Sequence, residues 1–165
     1  MNRNLNFLFA LLIVMALVTL ALVSRSCSTP RVPAFMDPLL TLEEAQARSS
    51  ESGKPVFALV SADWCTYCDS LKRGALADSR VVAWLRANTE PVYVDATKSN
   101  RRDAETLALM SRLQVQGLPA MVLVKRGVQY GHLEGDVPAK DLLKWLEDSK
   151  RQMVEEGAVP ATPGG

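Results

Sequence analysis

Hydrophobic positions along this chain fall into two regimes. Residues 5–23, LNFLFALLIVMALVTLALV, carry no charge, and Asn6 and Thr19 are their clearly polar positions. A helix of about 20 apolar residues crosses a bilayer core. The run has no polar face, so it does not read as a helix of a soluble domain. It predicts one N-terminal transmembrane helix. Arg3 precedes it and Arg25 follows it, so the positive-inside bias is weak. Secretory signals have shorter apolar regions of about 7–15 residues, so the length favours an uncleaved anchor over a cleaved signal. Ser24 and Ser26 do put small residues at −3 and −1 of a cut before Cys27, whereas Ser24 and Arg25 depart from the usual lipid-attachment box. Residues 1–24 are read as membrane anchor or signal segment. Residues 25–38, with Pro30, Pro33 and Pro38 among small and polar residues, are read as a linker.

From residue 39 onward the hydrophobic runs are short and alternate between strand-like and helix-like spacing. Thr41 and Glu44 form a capping-box pattern, and the helix they start should end near Gly53. Pro55–Val60 is a short continuous apolar run, as in a buried strand. A helix follows from Cys65, and Gly74 should break it. Val81–Leu85 is its continuation or a second short helix. Pro91–Asp95 is a second strand. Asp103–Leu113 is a helix with Ala104, Leu107, Ala108 and Ser111 on one side. Ala120–Val124 is a third strand, turned by Lys125-Arg126-Gly127 into Val128–Tyr130. Pro138 opens a last helix whose apolar face holds Ala139, Leu142, Leu143 and Leu146. Strands joined through a helix should be parallel and the hairpin pair antiparallel. The expectation is an α/β domain over residues 39–150 with a central mixed four-stranded sheet flanked by helices, and a flexible tail over 151–165.

Composition changes this picture little. Lysine plus arginine total 19 against 18 acids, and no basic block occurs, so nucleic acid is not an expected partner. Three cysteines are too few for a disulfide-stapled scaffold. Cys65 and Cys68 carry the candidate chemistry. Disulfide exchange needs an accessible thiolate and a second thiol close enough to release the mixed disulfide. At a helix start, the first cysteine lies where N–H groups and the dipole favour negative charge, and the second is more shielded. Cys65 is therefore the expected nucleophile and Cys68 the resolving thiol. Zinc normally needs four ligands, and the chain offers one Cys-x-x-Cys, a distant Cys27 and a single histidine, His132. Covalent haem would need His at Asp69. No metal and no cofactor are expected. A structural disulfide, or two buried free thiols, stays open on spacing alone.

Ala62-Asp63-Trp64-Cys65-Thr66-Tyr67-Cys68 resembles the thioredoxin active-site motif. Val115-Gln116-Gly117-Leu118-Pro119 resembles the family's second signature, the loop bearing a cis-proline. Over residues 40–148 the chain resembles the periplasmic C-terminal thioredoxin domain of the bacterial thiol:disulfide interchange reductase. The resemblance implies a thioredoxin fold. It implies that Pro119 packs as a cis-proline against the Cys65–Cys68 pair, that backbone near Leu118 docks an extended substrate strand, and that Trp64 and Tyr67 shape the contact surface. It also implies an enzyme that reduces disulfides of extracytoplasmic proteins. Its partners would be protein thiols and disulfides and an upstream membrane or soluble thiol reductant. With residues 5–23 as anchor, the domain would face the periplasm from a bacterial inner membrane, or be periplasmic or secreted if the segment is cleaved. Two alternatives are a non-catalytic binding or assembly module and a cytochrome or metal-site maturation factor.

Two positions depart from the family pattern. Leu59 stands where thioredoxins carry a buried acid, and Lys72 where the interchange-reductase domain carries one. A missing carboxylate removes a candidate proton acceptor for Cys68. A cation on the cysteine face favours thiolate at Cys65, so the pair is expected to be more oxidising than thioredoxin. Asp63, Asp69 and Lys72 are the candidate modulators of thiol ionisation. His132 reads as a solvated strand histidine.

Overall fold

The computed structural model describes residues 11–19, 31–101 and 104–158. A four-stranded sheet has the order β2-β1-β3-β4, built from β1 (Val56–Ser61), β2 (Glu90–Asp95), β3 (Ala120–Lys125) and β4 (Val128–Glu134). β1 is parallel to β2 and antiparallel to β3, and β3 is antiparallel to β4. The helices are α1 (Leu42–Ser52), α2 (Thr66–Arg73), α3 (Ser79–Asn88), α4 (Ala104–Arg112) and α5 (Ala139–Ala158). This is a thioredoxin fold with a mixed sheet flanked by helices.

Every residue of β1 is buried, which explains its unbroken apolar spelling. Side-chain alternation splits it between two cores. Val56, Ala58 and Val60 join Leu42, Ala45, Val92 and Val122 on one face. Phe57 and Leu59 join Leu71, Val81, Leu85 and Leu146 on the other. Local signals set the boundaries. The Thr41 hydroxyl accepts from Glu44 N–H at 3.2 Å, and the Glu44 carboxylate accepts from Thr41 N–H at 2.9 Å. α1 ends at Gly53 in the left-handed region, φ 72°. Gly74 closes α2, and a short 3₁₀ turn over Ala75–Ala77 separates it from α3, so these are two helices. Arg126 (φ 51°) and Gly127 (φ 78°) give the hairpin turn its positive dihedrals.

Three expectations need correction. Residues 31–38 are not a free linker. Pro33 and Met36 are buried, Val32 and Phe35 pack on the core of Phe57 and Leu59, and Asp37 bridges to Val92 of β2. The prolines there shape a docked segment, because apolar residues alternate with them and find core to cover. In α4 the packed positions are Leu109 and Met110, followed by buried Leu113; Leu107 is 41 % exposed and Ala104, Ala108 and Ser111 are exposed. The packed face thus lies two positions on from the expected one, about 200° around the helix. The last helix runs to Ala158, with Met153 buried, so the boundary at 150 falls inside it. Residues 159–165 lie outside the described residues. Of the apolar run 5–23, residues 11–19 are helical and the rest lie outside the described residues. Among the described residues no helix is long and apolar enough to cross a membrane.

Candidate active site

β1 delivers the chain to the site. Its last residue, Ser61, is buried, and Ala62 follows at zero exposure, so the backbone surfaces only at Asp63. Asp63 N–H donates to Thr97 Oγ1 at 3.1 Å, and the Trp64 indole N–H donates to the Thr97 carbonyl at 2.9 Å. Thr97 N–H in turn donates to Asp95 Oδ1 at 2.9 Å. The end of β2 thereby fixes the loop before the cysteines.

Cys65 is the N-cap of α2, with extended backbone, and Cys68 lies one turn in. The two are joined as a disulfide with Cα atoms 5.2 Å apart. Cys68 N–H donates to Cys65 Sγ at 3.1 Å. A helix N-terminus with an N–H aimed at sulfur favours a thiolate there once the bond is reduced. Cys65 is 6 % exposed and Cys68 is fully buried, so reagents reach Cys65 first. Trp64 (49 %) and Tyr67 (69 %) stand exposed on either side. The Leu118–Pro119 peptide is cis. Leu118 packs against Ala62, Cys65 and Cys68, and Pro119 is buried behind it. A hollow at this point is lined by Trp64, Cys65, Tyr67, Leu107, Met110 and Leu118.

The charged groups around the pair are all partnered. Arg31 reaches Asp63 at 3.2 Å and also pairs with Asp95. Those two carboxylates raise the Arg31 pKa, Asp95 first. At Asp95 burial pushes the carboxyl up, but the Thr97 bonds and Arg31 outweigh it and hold it below the ordinary value. Lys72, with 3 % of its side chain exposed, pairs with Asp69 at 3.0 Å and donates to the Arg31 carbonyl at 3.3 Å. The cation that the sequence places on the cysteine face is therefore paired.

Leu59 is fully buried in the core beside Leu71 of α2. Two residues on, the Ser61 hydroxyl lies on the same face of β1. The Tyr93 hydroxyl, from the β2 residue paired with Leu59, is buried beside it, and neither makes a well-formed hydrogen bond. Burial raises the Tyr93 pKa. Apolar packing and two hydroxyls thus occupy this face of β1.

His132 is not a solvated histidine. Its Nε2 lies 2.9 Å from Glu134 Oε1 and its Nδ1 3.2 Å from Gln129 Nε2. Glu134 Oε1 also accepts from Gln116 N–H at 2.7 Å. Sequence reasoning missed Arg31, Asp95, Thr97, Leu107 and Glu134. Arg31 lay in a stretch read as linker. Glu134 lay one residue before a glycine at the end of a strand, with no motif around it.

A family profile for the thioredoxin-like domain matches residues 42–150. Among curated proteins, the thiol:disulfide interchange protein DsbD of Campylobacter jejuni is 25 % identical over 111 residues, 67 % of this chain and 19 % of that protein. DsbD of Yersinia pestis is 34 % identical over 86 residues, 52 % of this chain and 14 % of that protein. The chain thus spans less than a fifth of the length of these relatives. Among solved structures, a thioredoxin from Thermus thermophilus superposes with a TM-score of 0.57 at 26 % identity, covering 71 % of this chain and 87 % of that one. The oxidised C-terminal domain of Neisseria meningitidis DsbD gives 0.58 at 24 %, covering 70 % and 97 %. With the profile spanning most of the domain, and the cysteine pair closed at the start of α2 beside Pro119, the chain belongs to the thioredoxin-like domain family.

Proposed function

We propose that this thioredoxin-like thiol–disulfide oxidoreductase works as a membrane-tethered reductase of extracytoplasmic protein disulfides. The observation that carries the reading is the Cys65–Cys68 disulfide at a helix N-terminus, with one sulfur reachable and one fully buried. In the reduced protein, the Cys65 thiolate attacks a substrate disulfide and forms a mixed disulfide. One substrate sulfur leaves as thiolate and takes up a proton. Cys68 then loses its proton and attacks Cys65 Sγ, which releases the second substrate thiol and leaves the Cys65–Cys68 disulfide. An upstream dithiol returns the two electrons. The exposed faces of Trp64 and Tyr67 and the Leu118–Pro119 loop receive the substrate. Residues 5–23 act as the tether, which sets the domain on the periplasmic side of a bacterial inner membrane. The length and apolarity of that run, and the DsbD likeness, support this part of the reading.

Cys68→Ser in the full chain tests it. The variant is expected to accumulate mixed disulfides through Cys65, in the membrane fraction, released by reductant. The purified wild type is expected to reduce insulin. No captured partner together with no insulin reduction refutes the reductase. A chain recovered in the soluble fraction refutes the tether.

A further inference from the structure

We propose that Glu134, braced by His132, is a positioning residue for the substrate-facing backbone of residues 116–118. The inference rests on the reductase reading and adds a part to it. Glu134 pairs with Ala120 across the β3–β4 ladder, one residue past Pro119. Its carboxylate reaches over to the loop ahead of that proline. Oε1 accepts the Gln116 N–H at 2.7 Å. A Cβ at residue 117 would stand 3.1 Å from Oε2, so the carboxylate would have to shift by a few tenths of an ångström to admit one. From the far side His132 Nε2 meets Oε1 at 2.9 Å, while Gln129 holds the other ring nitrogen. The next residue along, Gly135, donates its N–H to the Pro119 carbonyl at 2.8 Å. One strand end therefore grips both sides of the loop.

The grip has a consequence for docking. An extended segment laid along this loop needs free peptide groups. Glu134 occupies the Gln116 donor. Leu118, which packs on the cluster of Ala62, Cys65 and Cys68, makes no hydrogen bond through its peptide among the described residues. By anchoring Gln116 two residues earlier, the carboxylate sets where the free Leu118 peptide stands for docking. The hollow beside Cys65 continues past Leu107, Met110 and Gln116 to His132 and Glu134, so the same residues floor the groove beyond the disulfide.

The test compares the full-length wild type with E134A, E134Q and H132A on two substrates. One is insulin, which must dock. The other is cystine, which is too small to use the groove. In E134A the ratio of kcat/KM on insulin to that on cystine is expected to fall about 10-fold, through KM, the size of one charge-assisted hydrogen bond. E134Q, which keeps an acceptor, should recover most of the ratio, and H132A should fall between E134A and wild type. An unchanged ratio in E134A, or equal losses on both substrates, overturns the proposal. If E134A fails to fold, a ratio in H132A equal to wild type overturns it. A wild type inactive on both substrates overturns the reductase reading itself, which is a separate result.

Discussion

Lys72→Met in the reduced protein should raise the ionisation pKa of the Cys65 thiol. The two residues lie seven apart, which is about 10 Å along a helix. At an effective dielectric of about 20, a unit charge at that distance contributes about 1.6 kcal/mol, a little over one pH unit. The Asp69 side chain that Lys72 holds is 35 % exposed, so water reaches the pair and reduces the effect to about half a unit to one unit. Removing the cation takes away an attractive charge and also unmasks Asp69, and both disfavour thiolate. Asp69 lies nearer to Cys65, about 6 Å along the helix. Asp69→Asn should therefore lower the same pKa, and the double variant should fall between the two single ones.

The assay is the pH dependence of alkylation by iodoacetamide. In a Cys27→Ser background it reports Cys65, because Cys68 is fully buried. Methionine matches the buried lysine stem, and Asp69 can rehydrate, so the variant should lose only about 1 kcal/mol of stability. Unfolding by urea checks that. An unchanged or lowered Cys65 pKa in K72M refutes the reasoning. The wild-type reduction potential is expected to lie above about −270 mV, the value of thioredoxin. With Lys72 and Asp69 largely cancelling, that expectation rests on the helix N-terminus and on Leu59 rather than on a bare cation.

Met36→Ala should cost about 2–5 kcal/mol in urea unfolding, because its 5 %-exposed side chain fills the core of Phe57 and Leu59; a loss under about 1 kcal/mol would mean that residues 31–38 do not dock. Asp78 caps α3, and its bonds to the Arg80 side chain and backbone lower its carboxyl to about 2. The wild type should thus be more stable than D78N above the free value of 3.8, and the difference should vanish as pH falls through about 2. A difference that persists below that pH contradicts the ion pairing.

The strands were legible because β1 and β3 are buried on both faces and spell that burial directly. The cysteine pair was legible because its chemistry dictates its spacing. The α4 face was misread for a physical reason. Leu107 stays 41 % exposed at the rim of the groove, so an apolar residue kept for contact was counted as core. The link from Glu134 to the loop was invisible because it runs to a main-chain N–H 18 residues away, which no side-chain pattern encodes. Pairings such as Arg31 with Asp95 depend on the fold bringing distant segments together.

The docked segment also sharpens what a tether would do. Arg31 joins the active-site side of the domain through Asp63 and Asp95, and its carbonyl receives Lys72. Between the apolar run ending at residue 23 and Arg31 lie only residues 24–30. Fully extended, these reach at most about 25 Å. A tether through residues 5–23 would therefore hold the Asp63 edge of the site, two residues from Cys65, within that reach of the bilayer surface. A free linker over 25–38 would allow about twice the distance. In a tethered chain, docking of residues 31–38 would remove that slack and would favour disulfide partners at the membrane surface over those diffusing far from it.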